Sequence, residues 1–364
     1  MQDRLTRTFG TGVRLDRRRV LLGMAAVGGF LAVDLGAVLF AGGWLAGERL
    51  TPHGFMDAFK RVYGAHPGFR RNHAKGVAVA GYFDSNGAGQ EFSKATVFRP
   101  GQTPVVGRFS LAGGNPNVAD MIDTARGLGL VFGYPGGQQW RTAMLNTPVF
   151  LDNSPQGFYD RLLASKISPA TGKPDPEAMM RFLAAHPETA RAMTLIKAHP
   201  PTSGFGDSTF GGLNAFYFVN ESGARTAVRW WFAPIGQVLP PPPRSSGRNA
   251  LFDGLIRQIG SGPLQWKLLL TLGAPTDPVD DATVPWPAER RQIDAGTLTL
   301  TSVQTEAAGN ARDINFDPMV LPDGIEPSDD PLLSARSAVY AASYRLRAGE
   351  PKSAPAVNVG AAAL

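Results

Sequence analysis

The chain has 364 residues, including 43 Gly, 30 Pro and no Cys, and carries a net charge of +6. A chain without cysteine has no disulfides, thiol nucleophiles or thiolate metal sites. Nor does the charge mark a nucleic-acid binder: residues 1–19 hold six Arg against Asp3 and Asp16, while residues 47–364 carry only +3 and no basic patch interleaved with aromatics.

The arm at 1–19 leads into a largely apolar run, Val20 to Ala46, whose only charge is Asp34. At about 1.5 Å per residue such a run can cross a ~30 Å hydrocarbon core, and the arginines before it place the N-terminus in the cytoplasm. DRRRVLL, residues 16–22, also resembles a twin-arginine export signal. The expectation is a transmembrane signal anchor at 20–46 that holds the remaining domain on the periplasmic side of the inner membrane. If the segment is cleaved, the protein is periplasmic.

From 47 to 347 the chain reads as one domain. Thr51 to Tyr63 is expected as a helix, followed by short strands at Gly76–Phe83, Ala95–Phe98, Pro104–Leu111, Leu128–Phe132 and Thr147–Leu151. Helices are expected at Pro155–Leu163 and Pro176–Ala198, then strands at Ala215–Val219, Thr226–Phe232, Gln265–Leu272 and Thr297–Val303. Pro240–Pro243 suits a stiff exposed loop. Two strand sets split by helices argue for one closed sheet. PLLSARSAVYAASYRLR, 331–347, forms the last helix, capped by Ser328 or Asp329, and 348–364 is expected to be a flexible tail.

On that last helix Arg336 and Tyr340 stand four residues apart and Arg347 seven further on, so all three share nearly one face. A cation one turn away favours the phenolate form of a tyrosine. His73, in RRNHAKG, and Arg108 and Ser110, in RFS, each read singly as turn or strand residues. The sites gain meaning jointly.

Together they resemble the haem catalase superfamily, and its short catalase-related peroxidases most closely. Four ordered blocks carry the resemblance: Arg70 with His73–Gly76 and the strand ending GYF at 81–83; RFSLAGGNPNVADMIDTARGLGLVF, 108–132; NTPVF, 146–150; and FDPMVLPDGIEPSDDPLLSARSAVY, 316–340. It implies an α+β fold: a closed antiparallel barrel of about eight strands with flanking helices. It also implies haem b, with Tyr340 as the proximal iron ligand and Arg336 pairing with its phenolate. By the same resemblance Arg70, Arg108 and Arg347 face the haem propionates, Ser110 bonds His73, and His73 is the catalytic acid–base group.

Departures bear on activity. Large catalases place an asparagine in the peroxide pocket where this chain has Leu145, unless a one-residue shift brings Asn146 into that place. Asn72 precedes the histidine where an apolar residue is common, and Tyr344 stands where a histidine is frequent. The expected function is therefore a peroxidase that reduces hydrogen peroxide or organic hydroperoxides with an unidentified donor and has weak or no catalase activity. A fatty-acid hydroperoxide isomerase and a non-catalytic binding barrel are the alternatives. Nothing implies NADPH, and the oligomeric state stays open.

Overall fold

The computed structural model describes residues 50–133, 137–236 and 247–362. The expected arm and membrane segment, 1–46, and the Pro240–Pro243 loop lie outside the described residues. Among the described residues no helix is long and apolar enough to cross a membrane.

The described residues form ten strands, with helices between some of them: β1 (Gly76–Ser85), β2 (Gly101–Leu111), β3 (Arg126–Phe132), β4 (Trp140–Leu145), β5 (Phe210–Gly211), β6 (Phe216–Val219), β7 (Arg225–Pro234), β8 (Leu264–Leu272), β9 (Gln292–Gln304) and β10 (Ile325–Pro327). Strands β1, β2, β3, β4, β5, β7, β8 and β9 pair antiparallel in a ring, which β9 closes by pairing back onto β1. Closure leaves those eight strands without a free edge, while β6 and β10 extend the sheet from β7.

Alternation decides what fills the barrel. On β4, Trp140, Thr142 and Met144 are buried while Arg141, Ala143 and Leu145 are less so, as a two-residue period requires. The inward residues are bulky and aromatic: Phe132 stacks on Trp140 at 5.0 Å, Trp140 meets Trp230 edge-on at 5.1 Å, and Phe109 lies 6.0 Å from Trp266. With its interior packed by these rings, the barrel carries its chemistry on the outside.

That outer face on β2–β4 is lined by small residues. Register sets Ser110 opposite Gly127, which sits opposite Leu145, and Arg108 opposite Gly129, which sits opposite Ala143. Over this floor lies helix α6 (Pro331–Gly349), flanked by α1 (Pro52–Tyr63) and α2 (Pro155–Ala164). Phe55 and Phe59 of α1 pack against Phe158 of α2 at 6.1 and 6.2 Å.

Several expectations need correction. Ala95–Phe98 is not a strand, since Thr96–Phe98 forms a single 3₁₀ turn. Thr147–Leu151 is not a strand either; the strand lies earlier, at β4. The helix expected over Pro176–Ala198 breaks at His186 into α3 (Pro176–Ala185) and α4 (Pro187–Lys197), because Pro187 disfavours helical geometry in the residue before it. Helix α5 (Ala250–Ser261) is not among the helices expected from the sequence. The cap of α6 is Asp330, whose carboxylate accepts the Leu332 N–H at 2.9 Å, rather than Ser328 or Asp329. The expectation of a flexible tail at 348–364 is corrected in part: Val357 is buried in the core, and Val359–Ala362 form the short helix α7.

Candidate active site

One cavity, about 1160 Å³ with its open mouth included, lies between the glycine-lined floor and α6. It gathers Arg70, His73, Arg108, Ser110, Arg336, Tyr340 and Arg347 from separate parts of the sequence. Helical spacing makes this possible: Leu332, Arg336, Val339, Tyr340, Ser343 and Arg347 all fall on the face of α6 that meets the cavity.

His73 occupies a turn that the sequence builds tightly. Its φ of 56° is left-handed, a conformation unusual for any residue but glycine. The Asn72 side chain holds that turn, its Oδ1 accepting the N–H of His73 at 3.0 Å and of Gly113 at 2.9 Å. The imidazole Nδ1 lies 3.0 Å from Ser110 Oγ. Gly127 leaves room for this pair, since a Cβ there would fall 2.8 Å from Ser110 Oγ and 3.0 Å from Nδ1. Burial, then the charges of Arg108, Arg336 and Arg70, lowers the His73 pKa to about 3. The ring is neutral at pH 7.

The arginines form a buried cationic group. Arg108 donates from Nε and Nη2 to the two carboxylate oxygens of Glu306 at 2.8 and 3.0 Å, and from Nη1 to His73 O at 2.8 Å. Arg70 reaches Glu306 at 3.3 Å and the carbonyls of Ala311 and Ile314 at 3.0 and 2.8 Å. Arg347 donates to Arg312 O and Ile314 O. Burial and the neighbouring Arg108 pull the Arg70 guanidinium well below its usual pKa, and the same two causes lower Arg347 to about 10. The group is short of negative charge.

On α6, Arg336 donates to Asn214 Oδ1 and to Ala143 O. Asn214 in turn donates to Asp330 at 2.7 Å, tying the helix cap to the barrel. No hydrogen bond engages the Tyr340 hydroxyl among the described residues, although Tyr340 lines the cavity. Asn146 does not enter: its Oδ1 accepts the Arg126 N–H at 2.7 Å, and the cavity is lined by Leu145 instead.

A family model described as catalase matches residues 59–238 and 273–363, well over half of the chain. The chain belongs to the catalase family. A catalase-related peroxidase of Synechococcus elongatus is 40% identical over 306 residues, covering 83% of this chain and 90% of its own. Another from Mycolicibacterium paratuberculosis is 30% identical over 314 residues, covering 85% and 99%. Rat catalase is 28% identical over 76% of this chain, which spans 56% of that enzyme's length. A solved fungal catalase shares the fold at a TM-score of 0.69 with 21% identity, covering 78% of this chain and 60% of its own.

Within this catalase-family frame, three residues that shape the cavity escaped sequence reading. Glu306 binds arginines some 200 positions away, so no local pattern reveals it. Asn214 links Arg336 to Asp330, and Gly127 makes room for Ser110 and His73, contacts made only in the folded chain. For Gly127 alone there was a signal, the RGLGL run on a strand, since glycine inside a strand often marks close approach.

Proposed function

We propose that this member of the catalase family is a haem b-dependent peroxidase that reduces hydrogen peroxide or organic hydroperoxides at the expense of an unidentified donor, with weak or no catalase activity. The observation that carries the reading is the convergence of His73, Tyr340 and the buried arginines on one cavity. The proposal includes anchoring through 20–46 and action on the periplasmic side, which rest on the sequence of the N-terminal 46 residues.

The cavity's residues fit iron protoporphyrin IX. A flat ring needs a floor without bulk, which Gly127, Gly129 and Ala143 supply. Two carboxylates need cations, and three guanidiniums stand against the single carboxylate of Glu306. An iron ligand needs an uncommitted donor atom, and the Tyr340 hydroxyl is one. Tyr340 would hold the iron, Arg336 the phenolate, and Arg70, Arg108 and Arg347 the propionates. When bound, haem would supply the redox centre that takes up the oxidising equivalents of the peroxide.

Proton transfer falls to His73. With its proton on Nδ1 and donated to Ser110 Oγ, the Nε2 lone pair is free to accept the proton of a hydroperoxide and return it to the departing oxygen. The depressed pKa keeps the ring in this neutral form. Leu145 supports peroxidase over catalase activity, because a second peroxide finds no hydrogen-bond partner there. The test compares oxygen evolution with peroxide-dependent oxidation of phenolic donors by the haem-loaded full chain. Donor oxidation should dominate; rapid oxygen evolution without donor oxidation contradicts the proposal.

A further inference from the structure

The loop at 305–314, between β9 and β10, engages all three arginines of the cationic group. Its carbonyls at Ala311, Arg312 and Ile314 accept from Arg70 and Arg347, and Glu306 takes both arms of the Arg108 fork. Glu306 is 7% exposed. Burial pushes its carboxyl up, but Arg108, Arg70 and Arg347 outweigh that and hold it below the usual carboxylate range, so it is ionised. Every guanidinium nitrogen of Arg108 already has a protein partner.

We propose that Glu306 is an intrinsic counter-anion that competes with a cofactor carboxylate for Arg108, and so sets how strongly the site selects porphyrins with free carboxylates. This rests on the reading that the cavity takes haem. A ligand carboxylate arriving at Arg108 displaces Glu306 or settles beside it, and either outcome weakens binding: the first breaks a two-pronged ion pair, the second crowds like charges in a buried site. Neutralising Glu306 removes that opposition for an acid ligand. A ligand whose carboxylates are esterified meets no such opposition in the first place. Without ligand, the same substitution leaves three buried cations uncompensated, so the haem-free protein is less stable.

The test uses the full chain prepared without haem, as wild type, Glu306→Gln and Glu306→Asp, titrated with hemin and separately with hemin dimethyl ester by absorbance and tryptophan quenching. Glu306→Gln should bind hemin at least about tenfold tighter than wild type, a modest part of what one unit charge commands at contact distance. Dimethyl ester affinity should be unchanged, and the haem-free melting temperature lower. Glu306→Asp, which keeps the charge but shortens its reach to Arg108, should fall between the two for hemin and serves if the first variant does not fold without ligand. Equal or weaker hemin binding by the variants overturns the proposal. Failure of wild type to bind hemin at all overturns instead the reading on which it rests.

Discussion

Leu145 ends the cavity-facing row that starts at Ser110, so replacing it puts a new group into the cavity without touching the barrel interior. Leu145→Asn supplies the amide that Asn146 cannot, because Asn146 is held by the Arg126 backbone. Oxygen evolution from peroxide should rise about tenfold, the value of one good hydrogen bond to a substrate; no rise would detach Leu145 from reaction choice. His73 makes a second prediction through its proton. Unfolded, it titrates near 6.5, but folded at about 3, so between those values only the unfolded chain takes up the proton. Its contribution to stability is complete above pH 6.5 and is lost as pH falls toward 3. Urea unfolding of the haem-free chain at pH 7.5 and 5 should show wild type losing more stability than His73→Gln, and equal losses would contradict the burial of a neutral ring. His73, Ser110 and Tyr340 were legible because each sits in a motif block. The choice of Leu145 over Asn146 was not, because it depends on which face of β4 each residue takes.

Helix α6 carries three of the seven cavity residues expected from the sequence, namely Arg336, Tyr340 and Arg347, and Asp330 sets where it begins. Asp330→Ala removes both the cap and the Asn214 contact, and should cost roughly 1–2 kcal/mol in denaturant unfolding. An unchanged midpoint would show that the helix start is fixed elsewhere. The sequence points to Ser328 or Asp329, one or two residues early, because Ser328, Asp329 and Asp330 are all capable caps. Helix α5 was missed for a related reason. Leu251, Phe252, Leu255, Ile256 and Ile259 follow helical spacing and are buried, but Gly254 and Gly260 read as breakers until tertiary packing overrides them.

The whole molecule joins its C-terminal segment to the site. Ser353 donates to Pro67 O at 3.0 Å, near the His73 turn, and the Val359 N–H donates to Thr305 Oγ1 at 2.9 Å, at the start of the loop that bears Glu306. Deleting residues 351–364 should lower the melting temperature by about 2–4 °C and speed amide exchange across 305–314; unaltered exchange would sever tail from site. Such docking is invisible in a Pro-, Ala- and Gly-rich tail, whereas the closed barrel was legible from its short alternating strands and the order of its motif blocks. The most direct test of the central claim is the absorption spectrum of the full chain expressed with haem supply, beside that of Tyr340→Phe. A high-spin ferric spectrum in wild type, lost or altered in Tyr340→Phe, is the expected result. Two folded but colourless proteins, or identical spectra, would contradict a Tyr340-ligated haem.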